Sequence, residues 1–100
     1  MRAIDVTSGR ELARAVSVAD TFATRLKGLL GKKELPQGQG LWIKPCSSVH
    51  TFGMKFSIDV AFLDGEQRVV AVATTLNPNR LSGFHLKASS VLELPAGTLD

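Results

Sequence analysis

One hundred residues give room for a single domain able to bury about 65% of its unfolded surface, so one core has to serve both stability and function. Hydrophobic residues at 44% and charged residues at 21% sit near ordinary globular averages and exclude a disordered chain, a collagen and a coiled coil. The net charge of +3 is modest, and there is no Tyr and no aromatic interleaving of the stacking kind, which argues against a nucleic-acid partner.

The longest purely apolar run, Val69 to Ala73, is five residues against the roughly 18 to 20 that cross a bilayer. No membrane span is therefore expected. The opening Met-Arg-Ala-Ile-Asp lacks the apolar stretch of a signal peptide, and Cys46, the sole cysteine, excludes an intrachain disulfide. Both features predict a cytoplasmic protein. Charge is uneven along the chain: six basic residues (Arg25, Lys27, Lys32, Lys33, Lys44, Lys55) stand between positions 25 and 55 against one acidic residue, Glu34. Such an excess suits an anionic ligand, although a solvated face is the simpler reading.

In chain order, residues 2–7 and 12–18 are rich in Ala, Ile and Val around Ser8-Gly9. They read either as a hairpin or, with Ser8 and Glu11 as a capping box, as a helix; the alternation of Val16 and Val18 with Ser17 favours the hairpin. Residues 20–31 are the clearest helix, capped by Asp20 or Thr21, with Phe22, Leu26, Leu29 and Leu30 on one stripe and Gly31 as the terminator. Arg25 flanks the stripe and is half drawn in, whereas Lys27 points away. Leu41 to Ile43 reads as a short strand. Phe56 to Leu63 and Arg68 to Thr75 alternate around Asp64-Gly65 as an antiparallel hairpin at the centre of the core, and residues 88–94 supply a last strand. The expected class is α+β: a mainly antiparallel β-sheet curled as a partial barrel, with one principal helix at about residues 20–31, in a single domain spanning 1–100.

Residues 45–53 have no clean period, and irregular loops on a scaffold are where binding residues concentrate. Within them, Cys46 and His50 could form a nucleophile and base, with Asp59 orienting the ring. That dyad requires a turn, because four residues span about 13 Å when extended and about 6 Å on a helix. A small buried hydrophobe is the commoner role for a lone cysteine. His50, His85, Cys46 and Asp59 show no recognised metal-ligand spacing, so neither metal nor cofactor is expected. Asp59 interrupts an apolar strand and needs a partner. Arg25 is the obvious one, as a structural ion pair or as joint borders of a cleft. Phe52, Met54, Phe56 and Trp42 read first as core, although Phe52-Gly53-Met54 beside a polar loop suits an apolar pocket.

The segments Arg25-Leu26-Lys27-Gly28-Leu29-Leu30-Gly31, Gly40-Leu41-Trp42-Ile43, Ser48-Val49-His50-Thr51-Phe52, Met54-Lys55, Ile58-Asp59-Val60-Ala61-Phe62-Leu63-Asp64 and Val91-Leu92-Glu93-Leu94-Pro95-Ala96-Gly97 together resemble the domain of unknown function 192 family over about residues 16 to 97. The resemblance implies a compact, β-rich α+β domain of bacteria and archaea, with signature positions on Arg25, Gly28, Leu29, Met54, Lys55, Asp59 and Phe62 and no established activity. Gly53 and Ser57 depart from the family's usual aromatic and proline. Relatives usually continue past position 100 with a further strand, whose absence would leave a sheet edge open to another copy.

The function expected from these readings is a small non-enzymatic binding domain with its cleft near the Cys46–Lys55 loop. Arg25, Ser48, His50, Thr51, Met54, Lys55 and Asp59 are the candidate binding residues, and the partner is a small anionic ligand or a protein. The alternatives are a thiol-dependent enzyme using Cys46 and His50, and an assembly protein acting through its sheet edge, as monomer or weak homodimer.

Overall fold

The computed structural model describes residues 1–99, the side chains of Phe22 and Leu26 excepted. The chain runs β1 (Ala3–Ile4), β2 (Glu11–Ala13), β3 (Ala15–Ala19), α1 (Phe22–Lys27), β4 (Gln39–Ile43), β5 (Ile58–Leu63), β6 (Val69–Leu76) and β7 (Ser90–Pro95). A two-stranded ribbon, β1-β2, stands beside a five-stranded sheet of order β3-β4-β7-β5-β6. The fold is thus mostly β-sheet with one short helix, and the sheets are not closed into a barrel.

Each element follows from local chemistry. Ser8 and Glu11 do not cap a helix; β1 and β2 pair antiparallel, as the hairpin reading expects. The second apolar run then divides, and β3 leaves the ribbon to pair in parallel with β4, so the sheet is not wholly antiparallel. A parallel pair needs a crossover connection, and residues 20–38 supply it with α1 inside.

The helix begins as expected: the Thr21 hydroxyl accepts from Thr24 N at 3.1 Å and the Thr24 hydroxyl from Thr21 N at 3.1 Å, a reciprocal capping box. It ends four residues before Gly31. Gly28 adopts φ 50°, ψ −125°, a conformation closed to side-chain-bearing residues, and its N–H closes on Thr24 O at 2.9 Å. Gly28 is therefore the stop, not a tolerated interior glycine.

The β5-β6 hairpin forms around Asp64, whose Oδ1 accepts from the backbone N–H of Glu66 and Arg68, each at 2.9 Å. It is not the centre of the core as expected. The last strand, β7, sits between β4 and β5, while β6 is an edge that leaves Val69, Val70 and Val72 exposed.

Both faces of the sheet are covered, which is why β5 and β7 are buried almost throughout. On one face Ile58, Val60, Phe62, Val91 and Ile43 pack with Leu29, Leu35, Val49 and Met54. On the other, Ala61, Leu92 and Leu94 pack with Ala13 and Val16, and with the half-buried Trp42 and Leu99. Period-two alternation along each strand decides which face a side chain joins, and this sorting governs the site.

Candidate functional site

Residues 47–51 lie antiparallel to residues 80–85 without forming a regular strand pair. Thr51 N donates to Arg80 O at 2.8 Å, Ser82 N to Val49 O at 2.9 Å and His85 N to Ser47 O at 3.0 Å. The seam is pinned by Thr51, which is fully buried: its hydroxyl donates to Asn77 O at 2.6 Å and accepts from Arg80 N at 2.8 Å. His85 packs over Phe62, ring centroids 4.1 Å apart, and anchors the same layer to the core. The aperiodic loop is thereby a fixed wall.

Between this wall, α1 and the middle of the sheet is a cavity of about 280 Å³ that opens to solvent. Arg25 and Lys27 stand on its helical side, Cys46, Ser48 and His50 on the loop side, and Leu29, Leu30, Ile43, Val49 and Met54 give it apolar walls. Four of the seven predicted binding residues, Arg25, Ser48, His50 and Met54, thus line one cavity. Thr51 is a strut of the wall with its hydroxyl already committed. Lys55 is exposed and does not line the cavity.

Asp59 is elsewhere. In β5 it alternates with Ile58 and Val60, so it belongs to the opposite face from the cavity. There its carboxylate accepts from Thr75 N and Leu99 N, each at 2.8 Å, and it is fully buried. The expected ion pair with Arg25 is therefore not formed, and Asp59 cannot orient His50. Arg25 lines the cavity instead, its Nε donating to Thr21 O at 3.3 Å and its Nη1 to Pro45 O at 3.4 Å. Lys27 is exposed as expected, yet it lies on the cavity's rim, because the helix ends immediately after it.

The residue that sequence reasoning passed over is Glu93. It interrupts the run Val91-Leu92-Glu93-Leu94-Pro95 just as Asp59 interrupts its own strand, and the rule applied to one applied equally to the other. Strand alternation turns Glu93 to the cavity face, where it is 4% exposed and lines the cavity. Among the described residues no donor reaches its Oε1, and the two ion pairs found there, Arg2–Glu11 and Arg68–Glu66, do not involve it. Burial pushes its carboxyl up to about 7, far above the ordinary carboxylate range.

The thiol of Cys46 donates to Ser48 O at 3.0 Å, and among the described residues no hydrogen bond joins it to His50, whose ring stacks on Phe52 at 5.3 Å. Burial, reinforced by the charge of Glu93, raises its pKa; backbone hydrogen bonding at Ser48 and the charge of Arg25 only partly offset this. An activated nucleophile shows the opposite shift. The rate of alkylation of Cys46 by iodoacetamide is accordingly expected to keep rising above pH 9, measured by mass spectrometry over a pH series. A plateau below pH 8 would restore the thiol chemistry.

A family model described as "Uncharacterized ACR", the domain of unknown function 192, matches residues 4–100. Among curated proteins, the UPF0127 protein of Pyrococcus horikoshii is 41% identical over 87 residues, covering 82% of this chain and 73% of the relative. That of Pyrococcus furiosus is 32% identical over 102 residues, covering 97% and 85%. Among solved structures, a protein of unknown function from Novosphingobium aromaticivorans is similar with a TM-score of 0.74 and 21% identity, over 97% of this chain and 82% of the other. A Sinorhizobium meliloti protein proposed to be a transcription regulator gives 0.81 and 20%, over 98% and 80%. At these identities the structural likeness speaks to the fold alone, and none of the sequence relatives carries a stated activity.

Proposed function

The chain belongs to the domain of unknown function 192 family, and from that premise we propose that it is a small non-enzymatic binding domain whose ligand occupies the cavity between α1, the Cys46–Lys55 loop and β7. One observation carries this reading: Arg25, Ser48, His50 and Met54, supplied by segments distant in the chain, meet on one solvent-reachable cavity with apolar walls. Its volume of about 280 Å³ lies just below the usual range for ligand sites, roughly 300 to 1,000 Å³, and suits a small molecule. The planar fork of Arg25, partly engaged by backbone carbonyls and lining the cavity, is suited to an anionic group such as a carboxylate.

The test is a thermal-shift panel of carboxylic acids, phosphorylated metabolites and sugars against wild type and Arg25→Ala. A ligand present at about 100 times its Kd stabilises by roughly 2.7 kcal/mol, enough to raise the melting temperature of a domain this size by about 10 °C or more. At least one acid class is expected to do so with wild type and to lose most of the shift with Arg25→Ala. Wild type and variant responding alike across the whole panel would remove the proposal.

A further inference from the structure

Glu93 poses a question that the binding reading leaves open. A carboxylate removed from water costs several kcal/mol unless it is paired, and its partners normally come from the protein. Here they do not: Oε1 is buried with no donor among the described residues, and Arg25, a cationic side chain lining the same cavity, spends donors on the carbonyls of Thr21 and Pro45. An unsatisfied buried group in a native protein calls for an explanation, and one that lines an open cavity points to what the cavity receives.

Resting on the reading above, we infer that Glu93 recognises a protonated amine, so that the ligand is a small amino-acid-like zwitterion with its ammonium on Glu93 and its anionic group toward Arg25. The chemistry of the walls agrees. An ammonium has donors and no acceptor, and a carboxylate has only acceptors, so the ammonium supplies the donor that Oε1 lacks. The hydrogen bonds formed are charge-assisted, and the cation supplies the compensation that a neutral hydroxyl cannot. Leu29, Leu30, Ile43, Val49 and Met54 line the same cavity as the two charged groups, which suits an apolar side chain. Together the lining describes one molecule: a cationic end on the buried Glu93, an anionic end on the more exposed Arg25, and a hydrocarbon body against the apolar walls.

Three probes separate these features: leucine, 4-methylpentanoate, which is leucine without its ammonium, and 3-methylbutylamine, which is leucine without its carboxylate. Calorimetric or NMR titration at pH 8 is expected to give leucine an affinity for wild type at least tenfold above that of 4-methylpentanoate. Glu93→Gln should lower leucine to the level of 4-methylpentanoate. Arg25→Ala should erase the advantage of leucine over 3-methylbutylamine while leaving the amine bound. Binding of leucine and 4-methylpentanoate to wild type within threefold of each other would overturn the inference, and that comparison needs no variant to fold. So would a Glu93→Gln protein that keeps its preference for leucine. If acids in the thermal panel bind and no amine does, this inference falls while the binding reading stands; if neither set binds, both fall.

Discussion

Stability is expected to decline as pH rises through neutrality, and Glu93 is the cause. The folded protein holds this carboxyl at about 7 against an ordinary value of 4.5, so between those values the folded chain binds more protons than the unfolded one. Unfolding then releases protons, and the free energy of unfolding falls with increasing pH. At 1.36 kcal/mol per unit, the loss between about pH 4.5 and about pH 8 comes to about 3 kcal/mol, a large share of the roughly 5 to 15 kcal/mol that holds a small domain together. Urea unfolding of wild type and Glu93→Gln at both pH values isolates this contribution from every other titrating group. The gap between the two proteins should shift by about 3 kcal/mol in favour of the variant on going to the higher pH. A gap that stays constant would mean that Glu93 finds a partner in solution.

Asp59→Ala is expected to cost about 2 to 6 kcal/mol, measured by urea unfolding, with no effect on ligand binding in the protein that remains folded. The reason lies in what the carboxylate holds. Opposite β5, the register slips between Ile58 and Val60, and Thr75 sits in the slip at φ 50°, an unfavourable conformation for a β-branched residue. Asp59 Oδ1 accepts the Thr75 N–H and Oδ2 ties Leu99 N to the same point. Truncation leaves two inward donors unanswered, each worth about 1 to 3 kcal/mol. Asp59→Asn keeps one acceptor oxygen and should recover part of the loss. A loss of binding without a loss of stability would return Asp59 to the ligand site.

These two carboxylates also show how far the sequence was legible. Alternation and the Asp64-Gly65 turn were enough to find the β5-β6 hairpin, and Thr21 was enough to start α1, because hairpins and caps are decided by residues close in the chain. The place of β7 between β4 and β5, the parallel pairing of β3 with β4 and the open edge at β6 depend on contacts between distant segments, to which local period is blind. The helix came out shorter than its apolar stripe suggested, because the backbone conformation of Gly28 overrode side-chain periodicity. For the site, the irregular loop drew attention to Ser48, His50 and Met54, and helical geometry to Arg25. Asp59 and Glu93 carried the same signal, an acid inside an apolar strand. The alternation that separates Asp59 from Ile58, Val60 and Phe62 is visible in the sequence; which of the two faces the helix covers is not.

That covering helix is short, and its brevity has a use. Six residues of α1, about 9 Å, cannot roof a sheet face by themselves, and the cavity wall continues into the start of the connection to β4, at Gly28, Leu29 and Leu30. Lengthening such a connection is cheap in closure entropy, about 0.6 kcal/mol per doubling. The acid at the base belongs to a central strand that tolerates no such freedom. On the proposed binding reading, entrance and anchor are thus built from parts of unequal mutability, and insertions or deletions before β4 would retune the size of guest admitted while leaving the buried acid in place.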